Sequence, residues 1–300
     1  MDPYFIESVV FTSVYGPKNI TRNIMQDRNG IIWLASWEGI ISYDGTTFTN
    51  HTNKEGLRRY HVFSVLEDSH GILWFGTIGA GVYRYDGQTF SNLTMKDGLI
   101  NDQVGCIMED HTGRIWMGTQ KGISIYEDGS FKNFSKADGL PDEDINSIIQ
   151  DQKGIFWIAA RGEACTYDGK TFIPIRDSLG APFVNIRSIQ KDESGRIWLG
   201  GQDGLWSFNG ILFIKHSADF NGYLFFDKKA ELWTSSSSQS NRNTWLLSRY
   251  DLNMEPQVIL DANGMSFGIL EDRDGAIWLA TEHGVCRYDG KSFEYFSEKE

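Results

Sequence analysis

The stretch DSHGILWFGT (68–77), followed by GVYRYDGQTF (81–90) and KDGL (96–99), decides how this chain is read. The preceding run VFSVLED (62–68) is apolar and β-branched, and SHG (69–71) is turn-forming. ILWFGT (72–77) is apolar again, IGAG (78–81) is glycine-rich, and VYRYD (82–86) alternates. Asp86-Gly87 then marks a hairpin before TFSNLT (89–94), because Asp-Gly accepts the positive φ of a tight turn. Every piece has the length of a strand and none that of a helix.

The same frame recurs at Trp33, Trp74, Trp116, Trp157, Trp198, Trp233 and Trp278, at intervals of 41, 42, 41, 41, 35 and 45 residues. Each Trp has an Asp six positions before it (Asp27, Asp68, Asp110, Asp151, Asp192, Asp227, Asp272), and all but one have a Gly three before, Ala230 being the exception. Self-similarity at this period marks a repeat architecture. A four-stranded unit cannot bury both its faces alone, and stacking unit on unit does so. The sequence therefore predicts an all-β fold, a seven-bladed β-propeller of four-stranded antiparallel blades, with residues 1–300 as one domain. The Trp, on the second strand, is expected to wedge between neighbouring blades. The Asp and Gly bracket the turn between strands one and two, as a structural pair rather than seven catalytic carboxylates. Blade six is the irregular unit, with Ala230, YDLNMEP (250–256) for the second turn, and the long loop SSSSQSNRN (235–243). At the ends, FTSVYG (11–16) and FEYF (293–296) both read as the outer strand that closes the last blade.

The net charge of −12 argues against nucleic acid or an anionic membrane surface as partner, since such affinity rests on Lys and Arg. No apolar run is long enough to span a membrane. The beginning, MDPYFIESVVFTSV, is not an intact secretory signal, and export stays open. Three cysteines (Cys106, Cys165, Cys286) form no C-x-x-C pair, so they read as buried small residues rather than a disulfide or metal framework. No catalytic, cofactor or metal-binding constellation stands out.

Ligands of propellers are expected where the loops between strands two and three meet those joining successive blades. The candidates there are Trp37, Glu38, Arg161, Glu163, Glu282 and His283 from the first set and Arg58, Tyr60, Asn146 and Arg187 from the second. Trp37 lies outside the repeat frame and offers a flat face to a sugar ring; the alternative is that it packs on a neighbouring loop. Arg161, Glu163 and Arg187 would bond polar groups. Glu38, Glu163 and Glu282 would have to converge for a hydrolase or lyase. The position ten before each Trp (Asn23, Ser64, Cys106, Ser147, Ser188, Tyr223, Gly268) is mostly small, which predicts a narrow, partly polar channel.

The runs DSHGILWFGT, GVYRYDGQTF and KDGL, and DRDGAIWLAT with GVCRYDGKSF in the seventh unit, resemble the two-component regulator propeller repeat. The resemblance extends from about Thr21 to Phe296. It implies a periplasmic or extracellular sensor, non-enzymatic and without cofactor, that recognises an oligosaccharide or another small polar ligand. A protein-interaction platform is the alternative. The chain departs from full-length sensors, which usually carry two propellers, a tyrosine-rich domain, a membrane helix and a kinase, so kinase function is not carried over.

Overall fold

The turn after each first strand explains the spacing of the repeat. In the computed structural model, which describes residues 10–237, 244–251, 254–262 and 264–297, Asp27 Oδ1 accepts the backbone N–H groups of Asn29 and Ile31 at 2.8 and 2.9 Å. Its other oxygen accepts the indole N–H of Trp33 at 2.9 Å. The same indole-to-carboxylate bond recurs at Trp74, Trp116, Trp157, Trp198, Trp233 and Trp278, between 2.8 and 3.1 Å. One carboxylate thus caps the turn and satisfies the polar atom of the wedge that follows, as a buried indole requires. The intervening glycine takes positive φ, +91° at Gly30. Ala230 adopts φ +60° and keeps the turn, with Glu231 N bonded to Asp227 Oδ1 at 2.9 Å. Blade six is therefore regular here, at the cost of a strained alanine.

The seven sheets are the blades of a seven-bladed β-propeller. Blade one comprises Thr21–Gln26, Ile32–Ser36, Gly39–Tyr43 and Phe48–Asn50, and the others occupy 62–93, 104–134, 145–174, 186–217, 220–262 and 266–295. Within each blade the four strands pair antiparallel in chain order. The segments that close the early repeats carry local caps. Asn50 caps the short helix His51–Lys54, and Thr94 and Ser135 form capping boxes with Asp97 and Asp138 before left-handed Gly98 and Gly139.

The chain divides into two compact units, residues 1–107 with 266–300, and residues 108–265. In the first, Trp33 packs on Val65, Leu73 and Phe75 of blade two, and Trp278 packs with Ile32, Leu34 and Phe48 of blade one. In the second, Trp116 stacks on Phe156 of blade four at 3.9 Å, Trp157 joins Ile189, Ile197 and Leu199 of blade five, and Trp198 joins Leu224 and Leu232 of blade six. These tryptophans are the expected wedges. Both end segments find a place in the first unit. Phe293–Tyr295 is the fourth strand of blade seven, whereas Thr12–Ser13 pairs with Phe48 and Thr49 as a fifth strand on blade one. Gly16 N donates to Phe296 O at 2.7 Å, and Phe296 stacks on Trp278 at 5.0 Å.

Candidate functional site

The first strands are not regular, and this decides which side chains they present. In blades one, two, four, five, six and seven the pairing of strand one with strand two slips by one residue, at Arg22, Phe63, Asn146, Arg187, Gly222 and Phe267. Each is an extra, unpaired residue, a bulge of the kind that re-aims a side chain. All lie eleven positions before the repeat Trp. Ser64 and Ser188 are buried, and Ser188 Oγ accepts the backbone N–H of Leu224 at 3.2 Å.

The two loop sets do interlock. In the second unit Arg161 N donates to Asp144 O at 2.8 Å, Asn185 N to Arg161 O at 3.1 Å, and Gln202 N to Asn185 O at 3.3 Å. In the first, Trp37 N donates to Ile20 O at 2.8 Å and Ile78 N to His61 O at 2.9 Å. The non-glycine Asn185 takes φ +50° to make its link.

Residues 108–265 bring together three of the candidates. Asn146 Nδ2 donates to Ile186 O at 2.7 Å, which fixes it against the peptide of Arg187. Arg161 Nε pairs with Asp144 Oδ2 at 2.8 Å on the same loops. Arg187 is half-buried, and its guanidinium pKa is lowered by burial first and by the charge of Arg161 second, with Asp144 opposing. Glu163 is nearby in sequence but is paired to Arg176 Nη2 at 3.0 Å.

The candidates in the other unit are mostly committed to the fold. Trp37 stacks on His61 with ring centroids 4.3 Å apart and planes 6° from parallel, so one of its faces packs on a neighbouring loop. Glu38 Oε1 accepts from Lys18 N, Asn19 N and Asn19 Nδ2 at 2.7 to 3.0 Å and anchors the segment that enters blade one. Arg58 is exposed, with its guanidinium 5.2 Å from the Tyr60 ring centroid and its backbone N–H bonded to Tyr83 Oη at 2.9 Å. The Tyr60 ring lies against Gly79, where any side chain would collide with it. Glu282 is half-buried and His283 exposed on the blade-seven loop. The long loop of blade six falls largely outside the described residues.

The bulges also reveal a residue that the sequence reading passed over. Arg22 lies between the rings of Phe63 and Phe267, 4.6 and 4.4 Å from their centroids. The only signal for it in the sequence is its register, eleven before Trp33, shared with Asn146 and Arg187. Among the described residues no group of three or more His, Cys, Asp or Glu is placed to hold a metal ion. Nor is any helix there long and apolar enough to cross a membrane.

A model of the two-component regulator propeller matches residues 56–79, 98–121, 139–162 and 260–283, stretches that each carry a first strand, the Asp turn and a second strand. No curated protein matches the chain. Among solved structures, an extracellular domain assigned to a hybrid two component system of B. thetaiotaomicron superposes with TM-score 0.76 at 22% identity, covering 94% of this chain and 41% of its own. A second such domain from B. thetaiotaomicron gives 0.77 at 19% identity, with 96% and 40% covered. The chain therefore spans about two fifths of the length of these structures. Virginiamycin B lyase from Staphylococcus aureus has the same fold at 15% identity and TM-score 0.68, with 91% and 97% covered. The Asp–Trp frame runs through all seven blades, and four of its stretches match the two-component regulator propeller repeat.

Proposed function

We propose that this chain is a non-enzymatic ligand-recognition propeller of the sensor type, acting in the periplasm or outside the cell, and that it binds an oligosaccharide or a related polar molecule. The observation that carries this reading is the pair of bulges in blades four and five. They place Asn146 and Arg187 side by side, next to Arg161 and Asp144. Polar groups fixed by the backbone of adjacent blades suit hydroxyl recognition, because their geometry is set before the ligand arrives. The solved extracellular domains of two-component systems support the sensor role. A lyase or hydrolase reading has less support, since two of the three candidate carboxylates are already occupied, Glu38 by Lys18 and Asn19 and Glu163 by Arg176.

The test is a thermal-shift and calorimetric screen against neutral and acidic mono- and oligosaccharides. A ligand that binds only the folded chain raises its melting temperature by mass action. The expected result is a saturable shift for one glycan class, weakened about tenfold or more by Arg161→Ala, the range for losing a hydrogen bond to a charged group. A panel without any shift, together with a stoichiometric protein partner from the native source, would replace this reading with that of an interaction platform.

A further inference from the structure

The arginines of this chain differ in what neutralises them. Arg114 pairs with Asp110 at 2.7 Å, Arg249 with Glu231 at 3.3 Å and Arg287 with Asp272 at 3.1 Å, and Arg196 lies over the Trp198 ring. All of these serve the turn and the wedge of their own blade. Arg187 does neither. It is half-buried on a bulge, and no ion pair or hydrogen bond to its guanidinium is made among the described residues. The charges that act on it are those of Arg161 and Asp144, and Asp144 is already bonded to Arg161 Nε at 2.8 Å. The charge of Arg161 opposes that of Arg187, and the one carboxylate that favours Arg187, Asp144, is bonded to Arg161, a local positive excess in a chain of net charge −12. Holding a partly desolvated, unpaired charge is costly, and folding gains nothing from it. Asn146, bonded through Nδ2 to Ile186 O, keeps the neighbouring bulge beside Arg187.

We infer that the ligand bound at blades four and five carries an oxyanion, a carboxylate or a sulfate ester, held by the guanidinium groups of Arg187 and Arg161. This rests on the recognition reading above and names the chemistry of its ligand. A planar guanidinium offers paired N–H donors that match the two oxygens of such a group.

The probes are sodium glucuronate and sodium methyl sulfate, compared with sodium chloride at matched ionic strength, by thermal shift and calorimetry. The proteins are the wild-type chain, Arg187→Gln, Arg187→Lys and Lys170→Gln, the last a removal of one exposed positive charge from a hairpin turn. One of the two oxyanions is expected to raise the wild-type melting temperature saturably beyond chloride, and the stronger of them assigns carboxylate or sulfate. Arg187→Gln should weaken that binding about tenfold or more, Arg187→Lys should restore part of it, and Lys170→Gln should leave it unchanged. Ligand-free Arg187→Gln should melt no lower than wild type, which shows that the loss is one of binding and not of folding. Chloride-like responses to both oxyanions, or equal affinity in Arg187→Gln, would overturn the inference. A neutral oligosaccharide that binds wild type and Arg187→Gln alike would also overturn it while leaving the recognition reading intact. Saturable oxyanion binding with no glycan bound would uphold it and remove the sugar from that reading.

Discussion

The carboxylate of Asp110 offers the most direct test of why Asp and Trp stand six residues apart. It accepts Thr112 N and Oγ1 at 2.9 and 2.7 Å and Arg114 N at 3.1 Å on one oxygen. The other oxygen takes Arg114 Nε at 2.7 Å and Trp116 Nε1 at 2.8 Å. Burial raises its pKa, but the bonds from Thr112, Trp116 and Arg114 outweigh that and bring it from 3.8 down to about 2. That shift corresponds to about 2 kcal/mol of stability. Asp110→Asn loses this and also turns an amide NH2 toward two donors, so a total of about 3–4 kcal/mol is expected. Trp116→Phe removes the indole donor while keeping most of the stack on Phe156, and should cost about 1–2 kcal/mol. In the double variant the amide no longer confronts the indole, so the costs should fall short of their sum by about 1.5 kcal/mol or more. Urea denaturation of the four proteins at pH 7 measures this. The sign with pH follows from the depressed pKa: the carboxylate's contribution is full above pH 4 and fades as pH falls toward 2, so the gap between wild type and Asp110→Asn should narrow over that range. A coupling below about 0.5 kcal/mol would refute the claim that one carboxylate serves both turn and wedge.

Further outcomes follow from other buried groups. His51 is held by Ser42 Oγ at 2.8 Å and faces Trp33, and burial, then the charge of Lys54, lowers its pKa from 6.5 to about 4. The unfolded chain takes up the proton first, so stability should fall from about pH 6.5 to pH 4 by up to about 3 kcal/mol, a slope that His51→Gln should remove in pH-dependent denaturation. Burial pushes the thiols of Cys165 and Cys286 up to about 12, so a thiol reagent at pH 8 should modify at most Cys106 in the native chain and all three after unfolding. Gly204 sits at φ +112° with its missing Cβ directed at the Ser217 carbonyl oxygen, so Gly204→Ala should lower stability by about 2 kcal/mol or more, read from the denaturation midpoint.

Much of the fold was legible because seven copies of one pattern average out local ambiguity. A single run such as ILWFGT cannot be told from a buried helix segment by periodicity alone, but its return near every 41 residues with a turn on each side can. The sequence marks the Asp as a turn former, which it is, but its bond to the indole is visible only in three dimensions. Sequence spacing alone does not show that residues six apart face each other across a tight turn. The bulges were not legible either. An extra residue in strand one leaves the apolar pattern of the strand almost unchanged, and it falls at Arg22 and Arg187, one position before Asn23 and Ser188. Of the candidate residues, Asn146, Arg161 and Arg187 come together, whereas Trp37 and Glu38 are tied to His61 and to the entry segment.

The internal repeat also offers a physical way to separate fold from function within one chain. Positions that meet the same demand in every blade carry the same residue: the Asp six before each Trp is invariant across the seven units, because every wedge needs its indole satisfied. The bulge position meets no such demand, since its residue is outside the ladder. It reads Arg22, Phe63, Gly105, Asn146, Arg187, Gly222 and Phe267. Within each compact unit, residues at this register in adjacent blades meet: Arg22 lies over Phe63 and Phe267, and Asn146 bonds the carbonyl before Arg187. A polar or charged residue there is not dictated by the repeat, and its neighbours can be named from the period alone. The frame specifies the scaffold and the bulges individualise it, so any specificity of this propeller for its ligand is most economically sought in the residues that the repeat leaves free.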